Sequence, residues 1–119
     1  MLVNLNFKPM KDKSKIIRTW KGWTLLENAQ TYEDMLTKKV FPSVKQREVD
    51  GLEKVNVSTA QHRDEVEFLI VLQFESLDAV KQFAGEDYEK AFIPDYAKQV
   101  LTRYDDTAEH FILKAELEL

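Results

Sequence analysis

The chain closes on TAEHFILKAELEL, residues 107–119, and His110 stands inside that alternating run. An imidazole titrates near pH ~6.5, so His110 is suited to act as a base or as a hydrogen-bond donor to a phenol or enol. A structural histidine satisfied by a polar neighbour fits the same position. Arg18, which opens RTWKGW (18–23), can anchor a carboxylate through two parallel hydrogen bonds, or can form a surface or interface ion pair. Trp20 and Trp23 fall on opposite faces of one extended stretch. One of them can line a cleft and stack on a flat molecule; core filling or a dimer contact is the alternative, and is favoured for Trp23. Phe83, Tyr88, Phe92 and Tyr96 bracket an irregular segment. They would make an aromatic wall for a planar ligand, or pack that segment onto the helices. The candidates are therefore His110 for catalysis, with Trp20, Arg18, Phe83, Tyr88 and Tyr96 for binding.

Other chemistries find little footing. The 119-residue chain has no cysteine, which removes thiolate nucleophiles, disulfides and cysteine zinc sites. A lone histidine beside Asp105-Asp106 is too small a ligand set for zinc or calcium, so no metal is expected. His62 lies in a polar turn, and Asp87 and Asp95 read as solvated loop carboxylates. With 3 glycines there is no phosphate-cradling loop. Ser14, Ser43 and Ser76 lack a nucleophile-elbow context, and Ser76 is better placed as a helix cap. A net charge of -4 disfavours nucleic acid and anionic membranes as partners. No apolar run approaches the ~18 residues of a membrane span, and MLVNLNFKPMKDKSK lacks the order of a signal peptide. The expected location is the cytoplasm.

The elements that must position these residues follow from periodicity. Hydrophobic residues make up 44% of the chain and charged residues 32%, an ordinary globular balance for one domain. Residues 1–14 read as an N-terminal extension, in which Leu2, Val3, Leu5 and Phe7 form a short strand or staple before Pro9. The domain itself spans 15–119. IIRTWKGW (16–23) predicts a strand. Ala29, Tyr32, Leu36 and Val40 recur at helical spacing over 27–40, with Pro42 marking a break near the end. Asp50-Gly51 is a turn signal, and 52–59 and 66–74 predict a hairpin. Ser76 caps a helix that Gly85 closes. Residues 95–102 predict a short helix after Pro94, and 107–117 the last strand.

The order strand, helix, strand, strand, helix, strand predicts an α+β, ferredoxin-like βαββαβ antiparallel sheet with both helices on one face. VEFLIVLQF (66–74) is apolar on both faces, as a strand covered on both sides would be. The helices cover one side. A second copy of the sheet is the simplest cover for the other, so a homodimer enclosing a barrel is expected.

RTWKGW, VEFLIVLQFESLDAVKQFAGED (66–87) and AEHF (108–111) resemble the antibiotic biosynthesis monooxygenase-like family of the dimeric α/β-barrel superfamily. The resemblance spans about 16–113, and FESLDAVKQFAGED (74–87) is its most specific part. It implies a ferredoxin-like subunit, a homodimer and a cleft between the sheet and its helices and loops. It places the first and last strands side by side, and so His110 near Arg18 or Trp20. The family includes cofactor-free oxygenases, haem-degrading enzymes and members without known activity. The haem-degrading branch is set aside: its first-strand asparagine, third-strand tryptophan and second-helix histidine have no counterparts, and Phe74 and Phe83 stand near the last two places.

Two functions remain. The first is a cofactor-independent monooxygenase-like protein, using neither metal nor flavin, that acts on a small planar organic molecule in a dry cleft. His110 would then serve as base or anion partner. The second is a non-catalytic dimer that binds a small ligand or has a structural role.

Overall fold

A computed structural model describes residues 14–119. Leu2, Val3, Leu5 and Phe7, expected to form a strand or staple, lie outside the described residues.

β1 (Ile16–Leu25) is the central strand. It runs antiparallel to β3 (Glu65–Phe74) along its whole length, from Ile16 opposite Phe74 to Leu25 opposite Glu65. β2 (Leu52–Gln61) flanks β3 as the other arm of a hairpin, whose turn is closed by the His62 amide donating to the Glu65 carbonyl at 2.8 Å. The far side of β1 pairs with two short strands, β4 (Arg103–Tyr104) and β5 (Glu109–Ile112). The order β2-β3-β1-β4, with β5 also on β1, is the expected ferredoxin-like sheet.

The last strand departs from expectation in being split rather than running over 107–117. Between Thr19 opposite Glu109 and Gly22 opposite Tyr104, residues 105–108 face Trp20 and Lys21 alone. The extra residues leave the ladder as a bulge. Asp105 N still donates to Lys21 O of β1 at 3.0 Å, whereas the following residues bond outward: Ala91 N donates to Asp106 O at 2.9 Å, and Ala108 N to Glu89 O at 2.7 Å. The bulge thereby ties segment 89–91 to the sheet edge.

The first helical region also departs from expectation, because Pro42 does not break it. A 3-10 turn (Leu26–Asn28) enters α1 (Ala29–Met35), a π-helical turn covers Leu36–Val40, and α2 (Phe41–Gln46) carries Pro42 in its first turn. Proline lacks an N–H and its ring presses on the carbonyl four residues back. A wider turn just before it, whose amides reach back five residues, absorbs the misfit and lets the helix continue.

α3 (Leu77–Ala84) starts where Ser76 accepts a hydrogen bond from the Ala79 amide at 3.2 Å and ends at Gly85, whose φ of 88° suits glycine. α4 is a single turn, Asp95–Lys98, shorter than the 95–102 expected. The helices lie on one face of the sheet. There Val66, Phe68, Ile70, Leu72 and Phe74 of β3 pack with Tyr32, Leu36, Val80 and Ala97. On the other face Leu69 and Val71 are half-buried and Phe111 is 50% exposed, so this chain alone does not cover that side.

Candidate functional site

Strand register decides which side chains meet. Ile16, Arg18, Trp20, Gly22 and Thr24 share the helix-facing side of β1 with Phe74, Leu72, Ile70, Phe68 and Val66 of β3. His110 lies directly opposite Arg18 and so points the same way, while Phe111, opposite Ile17, points to the open face. The adjacency of first and last strands implied by the resemblance thus brings Arg18 and His110 together.

Arg18 is 6% exposed. Its Nη1 donates to Tyr88 O and, at 3.0 Å, to His110 Nε2, and its Nη2 reaches Lys90 O at 3.5 Å. A guanidinium has no lone pair to offer, so His110 Nε2 must be the acceptor and the ring is neutral with its proton on Nδ1. Burial, and then the neighbouring Arg18 charge, hold the His110 pKa below its ordinary value, against a smaller opposing effect of Glu89. Tyr88 meets the same imidazole edge-on, with ring centroids 5.2 Å apart. Burial also lowers the Arg18 pKa. Among the described residues no carboxylate pairs with it.

A cavity of about 460 Å³ lies between the sheet and the helices. Arg18, Trp20, Ile70 and Leu72 form its floor; Tyr32, Leu36, Val40, Phe41 and Arg47 form one wall. Phe83 and segment 90–97 close the other side, with Phe92 90% exposed at the rim. Trp20 is held by its indole N–H donating to Asp105 O at 2.7 Å, and its ring edge lies over Gly22, where a Cβ would come within 2.7 Å of it. Phe83 has the Arg18 guanidinium carbon 5.6 Å and that of Arg47 5.2 Å from its ring centre. Arg47 also donates to Phe83 O at 2.9 Å. None of the described lining residues is Asp, Glu or His, whereas Arg18, Arg47 and Lys90 are all cationic.

Of the candidate residues, Arg18, Trp20, Phe83 and Tyr96 line the cavity. His110 and Tyr88 do not; they stand behind Arg18 and fix its orientation. His110, expected to border the ligand cavity with Trp20 or an aromatic from 83–96, reaches the lining in the structure through its bond to Arg18. Its acceptor nitrogen is occupied, so it can take a substrate proton there only after releasing Arg18. Trp23 faces the open side, with the Arg103 guanidinium 3.9 Å from its ring centre. Tyr32 read from the sequence as part of a helical core stripe. It is 2% exposed, stacks edge-on against Phe68 and lines the cavity, and burial followed by the influence of Tyr96 raises its pKa well above the usual phenol range. Arg47, in the polar tract SVKQREVD (43–50), carried no signal that set it apart from a solvated arginine.

A second hollow, of about 710 Å³, lies outside segment 87–95. Its lining mixes Asp87, Glu89, Asp95 and Asp106 with Lys90 and Lys98, and none of its residues is buried. It is a surface dish without a fixed polar group. Among the described residues no cluster of His, Asp or Glu is placed to hold a metal ion.

No family model and no curated protein sequence matches the chain. Solved structures do. A Bacillus cereus protein described as a putative antibiotic biosynthesis monooxygenase superposes with a TM-score of 0.64 at 15% identity, over 89% of this chain and 99% of that one. A conserved protein from Methanosarcina mazei gives 0.56 at 15% identity, over 85% and 92%. A protein from Shewanella oneidensis gives 0.54 at 12% identity, over 90% and 96%. At such identities the likeness is one of fold, and it is the fold implied by the sequence resemblance.

Proposed function

We propose that this protein holds a small planar organic molecule in the cavity between its sheet and its helices, and acts on it as a cofactor-independent monooxygenase-like protein. The observation that carries this is the cavity itself: about 460 Å³, floored by Trp20 and Arg18 and walled by Phe41, Phe83 and Tyr96. That size and apolar lining, with a few fixed polar groups, suit a molecule of two or three fused rings. The fold shared with a putative antibiotic biosynthesis monooxygenase points the same way. In such chemistry the deprotonated substrate itself passes an electron to oxygen. The chain's part is to exclude water and stabilise the anion, and Arg18 offers a buried positive charge for that.

The protein acts as a homodimer in this proposal, joined through the open sheet face. Support comes from Ile17, Leu69, Val71 and Phe111, an apolar centre bordered by the ion pairs Lys21–Glu67 at 2.8 Å and Arg103–Glu65 at 3.1 Å. The cytoplasm remains the proposed location; among the described residues no helix is long and apolar enough to cross a membrane.

Non-catalytic ligand binding is the second possibility. It is favoured by one observation: the described lining holds no carboxylate or imidazole to serve as a base, and the acceptor nitrogen of His110 is bonded to Arg18. A thermal-shift screen with quinols, polyphenols and haem, followed by oxygen-uptake assays on the hits, separates the two. Catalysis predicts oxygen consumption that depends on a cavity ligand. Stabilisation without oxygen uptake favours the binding protein, and no stabilisation by any planar compound contradicts both.

A further inference from the structure

The chain carries a net charge of -4, yet its internal cavity shows the opposite sign. Arg18, Arg47 and Lys90 line it, and no described lining residue is acidic. Such a reversal inside an acidic protein concentrates anions at that one place.

Arg18 has the features of a receptor rather than a structural ion pair. Buried guanidinium groups are normally paired, because taking the charge out of water is costly. Arg18 is instead held by neutral acceptors: Tyr88 O, His110 Nε2 and, at long range, Lys90 O. These fix its plane without cancelling its charge. They use both Nη1 hydrogens and one on Nη2. The Nε–H and the second Nη2–H meet no acceptor among the described residues. Among the described residues no buried side-chain nitrogen or oxygen lacks a partner, so the unbonded Nε is not sealed in the core, and Arg18 itself lines the cavity. Nε and Nη2, the latter holding only the long 3.5 Å contact to Lys90 O, form the edge of a guanidinium that grips a carboxylate side-on. Independently, Tyr32, a residue 2% exposed, also lines the cavity. A phenol is protonated at neutral pH and can donate a hydrogen bond.

We infer that the cavity's ligand is a planar carboxylate, its carboxyl group seated on the Nε–Nη2 edge of Arg18 beside the Tyr32 hydroxyl, with Arg47 drawing the anion in past Phe83. This rests on the planar-ligand proposal above and narrows it. The walls select against small inorganic anions. Leu36, Val40, Phe41 and Phe83 offer apolar contact that a ring system uses and a phosphate does not. A dianion would also be poorly matched, since Arg18 is the one described lining cation that is buried.

Isothermal titration with 2-naphthoate and its neutral isostere 2-naphthamide tests the inference. The two have the same rings and differ in charge. The wild-type protein is expected to prefer 2-naphthoate by about tenfold or more, the range of a charge-assisted hydrogen-bonded pair. Arg18→Met should abolish the preference while changing 2-naphthamide affinity less than about threefold. Arg47→Gln alters an exposed residue, so it keeps the test open if the core variant does not fold; it should cut the preference by about threefold. Equal affinity for both probes in the wild type would overturn the carboxylate assignment and leave planar-ligand binding standing. No binding of either would overturn both. A preference unchanged in Arg47→Gln and in any folded Arg18→Met protein would also overturn the assignment.

Discussion

Gly22→Ala puts the smallest possible perturbation under the cavity floor. The added methyl would sit 2.7 Å from Trp20 Cη2, 3.1 Å from Trp20 Cζ3 and 3.1 Å from Leu101 Cδ2. Carbon atoms prefer about 3.5–4.0 Å, so the indole must move by roughly 1 Å. The indole is tethered at its other end by the 2.7 Å bond from Nε1 to Asp105 O, and moving one end strains or breaks the other. Overpacking of this kind costs about 1–3 kcal/mol, and the lost hydrogen bond about 1 kcal/mol more. Restricting the unfolded chain returns about 0.4–1 kcal/mol, because Gly22 lies in a strand that alanine can also adopt. The net expectation is a loss of about 1–3 kcal/mol, or roughly 5–15 °C in melting temperature for a domain of this size. Urea unfolding followed by far-UV circular dichroism measures it. Trp20→Phe lacks the offending ring atoms, so Trp20→Phe/Gly22→Ala should lose less than the sum of the single variants, with a coupling of about 1 kcal/mol or more. A Gly22→Ala protein as stable as wild type, or strictly additive losses, would refute this placement of Trp20.

Four further outcomes follow from the same contacts. His110 has a folded-state pKa below its unfolded value, so its contribution to stability is complete above the ordinary histidine range near ~6.5 and is lost as pH falls through that range. The stability difference between wild type and His110→Gln should therefore shrink on acidification from neutral pH, and a difference that stayed constant would contradict a neutral His110 bonded to Arg18. Ser76→Ala removes the acceptor for the Ala79 amide and should cost about 1 kcal/mol by urea unfolding, without altering the cavity. Val71→Glu places a charge at the centre of the open sheet face and should convert a dimer to a monomer in light scattering; a wild-type monomer at micromolar concentration would rule out the proposed assembly. Pro42→Ala restores an amide to α2 and should be tolerated or mildly stabilising, whereas a large loss would show that the proline is required to hold the π-helical turn.

The fold was legible where one period dominated. Alternation in 16–23 and 66–74 located β1 and β3, and capping chemistry at Ser76 and Gly85 bounded α3 to the residue. The split of the last strand was not legible. Residues 105–108 carry no breaker, and the bulge arises from bonds to 89–91, far away in sequence. Pro42 misled because the rule that proline ends a helix takes no account of a π-helical turn that absorbs it. For the site, residue type pointed to Arg18, Trp20, Phe83 and Tyr96; register put Arg18 and Trp20 on the helix-facing side, and helix packing brought Phe83 and Tyr96 to the same cavity. His110 drew notice as the chain's one titratable strand imidazole, but its depth relative to Arg18 depends on how the edge strand curls, which local pattern does not encode. Tyr32 was placed correctly on its helix face. Nothing in a one-dimensional pattern says that its side chain borders a cavity instead of closed core.

The central claim is that a flat molecule occupies the space above Arg18 and Trp20. Intermolecular nuclear Overhauser effects between 2-naphthoate and methyl-labelled protein test it most directly. Contacts to Leu36, Val40, Leu72 and Ile93, which ring the cavity, are predicted. Contacts confined to Leu69 and Val71 on the open sheet face, or none from a saturated sample, would contradict it.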